Sequence, residues 1–111
     1  MTTTIVFGED KEVTFEANAS TKYRFKQVFK RELNDALFSA KKEMKVELIE
    51  ELAYVMAKQA AGEAKKISEE GFYEWLEGFD PFDFTLKGAE IIGLYGKQAE
   101  MTSVPKKKED K

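Results

Sequence analysis

The chain has no cysteine and no histidine among its 111 residues, and only two prolines. Without thiols there is no disulfide, no thiolate nucleophile and no Cys/His zinc site; without imidazole the commonest general base is missing. Long apolar runs are also lacking: the uninterrupted ones span only a few residues, and the stretch holding Ala89, Ile91, Ile92 and Leu94 is broken by Glu90. That pattern predicts neither a membrane-spanning helix nor a signal peptide. Gly78, Gly88, Gly93 and Gly96 fit no phosphate-cradling spacing. Ser20, Ser39, Ser68 and Ser103 have no histidine partner to activate them. These absences predict a protein that is not an enzyme and takes no cofactor and no metal.

What the chain has in quantity is charge, 18 Lys plus Arg against 21 Asp plus Glu, unevenly spread. Residues 20–42 carry a net +5 and residues 67–90 a net −6, although the whole chain carries only −3. The length suits one domain with a modest core.

Residues 2–7 are rich in β-branched side chains, 8–11 form a polar turn, and 12–16 alternate polar with apolar, which predicts a β-hairpin over residues 2–16. A lone hairpin is marginal in water, so Ile5, Phe7, Val13 and Phe15 need cover from helices or another subunit. After the capping candidates Asn18 and Ser20, apolar residues from Phe25 to Ala40 recur at spacings of three and four. They predict a helix over 21–40 whose other face holds Lys22, Arg24, Lys26, Lys30 and Arg31. Further helices are predicted at 44–66, with Gly62 as an end or weak point, at 69–78 behind Ser68, and at 84–98 despite three glycines. The fold class expected is α+β, mainly helical: an N-terminal hairpin followed by three or four packed helices in one domain over 1–98, then a disordered charged tail at 99–111.

Two clusters invite functional readings. Glu70, Glu74 and Glu77 share one side of the 69–78 helix, near Asp80 and Asp83, but no cation-binding spacing accompanies them, and a solvated acidic face explains them. The second cluster places six of the 14 aromatics, Phe72, Tyr73, Trp75, Phe79, Phe82 and Phe84, within 13 residues. One face of a short helix cannot hide all six, so these residues and Leu76 are candidates for a protein-binding patch, with core packing as the equal alternative. As a patch, Trp75→Ala with Phe79→Ala would leave the fold intact.

The opposite charges of two segments suggest self-association. Lys22, Arg24, Lys26, Lys30 and Arg31 of one molecule would face Glu70, Glu74 and Glu77 of the next, head to tail in a ring or filament. Internal salt-bridged packing of the same segments is the alternative. The basic face, interleaved with Tyr23 and Phe25, also allows a small nucleic-acid-binding regulator built on residues 21–42, against which the acidic 67–90 segment counts.

The chain resembles the tail assembly chaperones of long-tailed bacteriophages, siphophage or prophage type, and within them those from Gram-positive hosts. The hairpin Thr4-Ile5-Val6-Phe7-Gly8 to Val13-Thr14-Phe15-Glu16 carries the likeness, with Tyr23-Arg24-Phe25-Lys26 and Phe72-Tyr73-Glu74-Trp75-Leu76-Glu77-Gly78-Phe79-Asp80. It covers about residues 3 to 95 in style and order, without an invariant motif. The resemblance implies a non-catalytic protein of the host cell cytoplasm, absent from the mature virion, that coats and solubilises the tape measure protein while tail tube protein polymerises around it. It also implies a frameshift-extended form that recruits tail tube protein, with the codons of Lys106, Lys107 and Lys108 as the candidate slippery run. The family supplies no client-binding residues.

Overall fold

The computed structural model describes residues 2–39 and 45–102, with side chains at 2–37 and 45–96. Strands β1 (Thr2–Phe7) and β2 (Lys11–Glu16) pair antiparallel, Ile5 opposite Val13 and Phe7 opposite Lys11. Period-two alternation puts Ile5, Phe7, Val13 and Phe15 on one face, where all but Val13 are fully buried. On the other face the hydroxyls of Thr4 and Thr14 hydrogen-bond at 2.8 Å. The connecting turn opens at Gly8, whose φ of 64° costs glycine no Cβ clash.

Among the described residues six α-helices follow: α1 (Thr21–Phe29), α2 (Leu33–Ser39), α3 (Val46–Ala60), α4 (Glu69–Leu76), α5 (Asp83–Leu86) and α6 (Gly88–Thr102), with a 3-10 turn at Ala64–Lys66. The α+β, mainly helical class is the one expected; the helices are more numerous because the long ones break.

Helix α3 is the spine. Leu48, Ile49 and every residue from Leu52 through Ala57 are buried, so the helix is covered on all sides. The hairpin packs on it through β2, and α1, α4, α5 and α6 also lie against it. Its C-terminal turn is pinned by Gln59, whose Nε2 donates to the Glu16 carbonyl at 2.9 Å and to the Thr21 hydroxyl at 3.0 Å. Gln59 thereby locks the β2–α1 junction, where Asn18 Oδ1 accepts from the Ser20 N–H at 2.9 Å.

The helix expected over 21–40 is two helices. Lys30 takes a left-handed conformation, φ 62°, and its N–H closes α1 on the Lys26 carbonyl at 2.9 Å. The chain then turns so that Leu33, 1% exposed, enters the core at the start of α2. No glycine or proline marks this break, and the burial of Leu33 offsets a conformation that β-carbon sterics disfavour. The helix expected over 44–66 ends at Ala60, just before Gly62 at φ 75°. That expected over 84–98 divides at Lys87, whose φ of −105° and ψ of 8° leave the helical range; the next residue, Gly88, sits close against Ile49, where a Cβ would lie 2.8 Å from Cδ1. The expected tail at 99–111 overlaps α6 as far as Thr102; residues 103–111 lie outside the described residues. Tyr95 of α6 donates its hydroxyl to Asn34 Oδ1 of α2 at 2.5 Å, and burial pushes its phenol up from the ordinary tyrosine range.

Helix α4 meets α3 at a tight contact. Ser68 caps α4 by accepting from the Gly71 N–H at 3.0 Å, and the Ser68 N–H donates to the Tyr54 hydroxyl at 3.2 Å. A Cβ on Gly71 would fall 2.5 Å from that hydroxyl oxygen. Gly71→Ala should therefore destabilise the fold by about 1–3 kcal/mol, read as a lower urea midpoint with an unchanged slope. Glu50, on α3, has its carboxyl pushed above the usual range by burial and then by the charges of Glu47 and Glu51. A raised carboxyl pKa in the native state means that the native state holds more protons than the unfolded chain between the two values, so stability falls as pH rises through that window. Glu50→Gln should remove this fall, seen in urea midpoints measured across the mildly acidic range.

Candidate functional site

Helices α4 and α5 carry the aromatic cluster and divide it between inside and outside. Phe72, 6% exposed, meets Phe29 at a ring-centroid distance of 5.1 Å and Tyr54 at 5.5 Å. Phe84, 1% exposed, meets Phe7 at 5.3 Å and Phe79 at 4.9 Å. Both are interior side chains, which removes them from the candidate patch. The cause is the crossing of α4 and α5 over the hairpin and α3, which needs rings to fill the gap between them.

Trp75, Leu76 and Phe79 are half-buried and pack on that core. Trp75 lies 5.6 Å from Tyr54 and 4.7 Å from Phe79, and Phe79 stands edge-on to Phe7 at 5.1 Å under the Lys11 ammonium, 4.6 Å from its ring centre. The outward side chains are Tyr73, 65% exposed, Phe82, 71%, and Leu86, 76%. Phe82 and Leu86 stand one turn apart on the same side of α5, where the Leu86 N–H donates to the Phe82 carbonyl at 3.0 Å. Asp80 and Pro81 form the turn before them, held by the Asp80 N–H donating to Asp83 Oδ2 at 2.9 Å.

The charged faces are mostly unneutralised. Of the basic candidates, Lys26 pairs with Glu32 at 3.3 Å and Arg31 with Glu51, while Arg31 also stacks over Phe25. Lys22 lies over the ring of exposed Tyr23. Arg24 reaches the Ser20 hydroxyl at 3.4 Å and Lys30 the Gln27 carbonyl at 3.0 Å. Among the described residues no ion pair joins α1 to α4 or α5, and Glu70, Glu74 and Glu77 are in none. Internal salt-bridged packing of the two segments is thus not what these residues form; Phe29 against Phe72 holds the helices together instead.

Between α1 and the stretch leading into α4 lies an open hollow of about 560 Å³, with Arg24, Lys30, Lys65, Val28, Ile67 and Glu69 among its lining residues. Spacing within one helix could not reveal it, since Lys65 and Ile67 come from a different part of the chain. Leu86 was also missed as a candidate, although its four-residue spacing from Phe82 was a signal. Among the described residues no group of three or more acidic side chains could hold a metal ion, and no helix is long and apolar enough to cross a membrane.

No protein-family model matches the chain, and no curated protein or solved structure is similar enough to count as a match.

The inside–outside division changes the expected behaviour of mutants. Phe72→Ala or Phe84→Ala should cost about 3–5 kcal/mol, and Trp75→Ala with Phe79→Ala should also destabilise rather than leave the fold intact. Phe82→Ser with Leu86→Ser should stay within about 1 kcal/mol of the parent. Urea denaturation followed by far-UV circular dichroism separates the two classes.

Proposed function

We propose that the protein is a non-catalytic assembly chaperone of the phage-tail kind, which binds and solubilises the helical tape measure protein and helps to recruit tail tube protein during tail assembly. The observation that carries this reading is the pair Phe82 and Leu86, outward on α5 beside the carboxylates of Asp80 and Asp83. An amphipathic client helix presents apolar side chains at three- and four-residue spacing, and paired apolar anchors one turn apart suit that spacing. Weak contacts of this size gain strength when many copies bind along one long client, so the chaperone works as a homo-oligomer or in an array. Half-buried Trp75, Leu76 and Phe79 add partly exposed apolar surface on the same α4–α5 segment, while the surrounding acidic side chains keep the free protein dispersed. Its place of action on this reading is the host cell cytoplasm, with none carried into the mature virion.

The nucleic-acid-binding alternative has Arg24, Lys30, Lys65 and exposed Tyr23 in its favour. Against it, the net charge of −6 over residues 67–90 would repel a long polyanion.

Co-expression with a tape measure protein tests the reading. The parent chain should bring the client into the soluble fraction and co-purify with it, and Phe82→Ser with Leu86→Ser should lose most of that effect while its circular dichroism is unchanged. An insoluble client beside parent chaperone, together with DNA binding that falls steeply with salt, would replace this reading by the nucleic-acid one.

A further inference from the structure

The hollow beside α1 and the outer face of α4 are complementary in charge, and among the described residues no ion pair neutralises either. Arg24, Lys30 and Lys65 line the hollow together with Val28, Ile67 and Glu69, and the three cations join no ion pair among the described residues. On α4, Glu70, Tyr73, Glu74 and Glu77 fall at spacings of three, four and seven, hence on one stripe, with Tyr73 exposed in the midst of three unpaired carboxylates. Three unpaired carboxylates around one ring complement in charge three cations that form no ion pair among the described residues.

We propose that the hollow receives the outer face of α4 from a second copy of this chain, with Tyr73 seated on Val28 and Ile67 and with Glu70 and Glu74 facing Arg24, Lys30 and Lys65. The placement of the two surfaces also decides the symmetry. The hollow is bounded by Ser68 and Glu69, and the stripe begins at the next residue, so donor and acceptor lie side by side within the length of α4, about 12 Å. Adjacent complementary patches are satisfied together by a two-fold axis passing between them, each α4 lying across the other's hollow. A head-to-tail ring or filament needs the two patches on well-separated sides of the molecule. The product is therefore a closed dimer, with two equivalent contacts and no free end. Exposed ion pairs are individually weak, so several of them and Tyr73 share the affinity, and the charges set orientation and salt dependence.

The proposal rests on the self-association in the functional reading above and not on its client. Sedimentation equilibrium of the full chain at tens of micromolar, in about 20 mM salt, where surface charges are weakly screened, should return the mass of two chains. Tyr73→Ala should weaken the dimer by about tenfold or more. Arg24→Glu with Lys65→Glu should run as a monomer, and so should Glu70→Lys with Glu74→Lys; mixing the two variants in equal amounts should restore a dimer. If Arg24→Glu disturbs the circular dichroism, Lys30→Glu with Lys65→Glu, both exposed positions, takes its place. A parent chain that is monomeric under these conditions, an assembly larger than two copies, or a mixture of variants that stays monomeric would overturn the proposal. A monomer that still solubilises the client would overturn it and leave the chaperone reading standing.

Discussion

The all-round burial of α3 is the constraint on which the rest of the structure depends. Six consecutive residues, Leu52 through Ala57, are buried, so in the middle of the helix no side is left for water and each neighbouring element must cover one sector of it. The hairpin takes one sector with Ile5, Phe7 and Phe15, and α1, α4, α5 and α6 take the others. Tyr54 is the polar exception within this run, and its hydroxyl is used at once by the Ser68 N–H at the start of α4. A polar group in a buried helix needs such a partner, and here the partner also fixes where α4 begins.

From this arrangement follows the split of the aromatic cluster. Helices α4 and α5 are short, and together they bridge the hairpin and the spine. Phe72 and Phe84 fill the space beneath, Trp75 and Phe79 close its rim, and Tyr73, Phe82 and Leu86 are left outside because among the described residues no further element covers that side. The two outward surfaces differ in chemistry. Phe82 and Leu86 form an apolar step on α5, whereas Tyr73 on α4 stands among carboxylates. On the proposed reading, client binding and self-association fall on different helices, so that a client and a second copy can be accommodated together.

Several elements were legible in the sequence because their causes are local. The alternation of residues 2–7 and 12–16 gives the hairpin and its inward face, Gly62 marks the end of α3, and Ser68 caps α4. The break after Phe29 was not legible, since its cause is the distant gain from burying Leu33, and Lys30 carries no mark of a left-handed conformation. Nor did periodicity disclose that α3 is buried all round: Leu48, Tyr54 and Val55 lie off the stripe that a one-sided helix would bury. The hollow draws Arg24 and Lys65 from segments that only packing brings together.

Residue types by themselves determined what chemistry is out of reach, where charge accumulates and that a hairpin precedes helices. No arrangement of this chain can supply a thiol or an imidazole, and the +5 and −6 segments keep their charges in any fold. Tertiary structure alone decided which aromatics are core and which are surface, because burial depends on what lies opposite a side chain. Phe82 and Phe84 are two residues apart in the same acidic stretch, and one is 71% exposed while the other is 1% exposed. Their difference is set by Phe7 and Phe79 meeting the ring of Phe84, contacts that come into being only when the hairpin and the α4–α5 segment close over the same side of the spine.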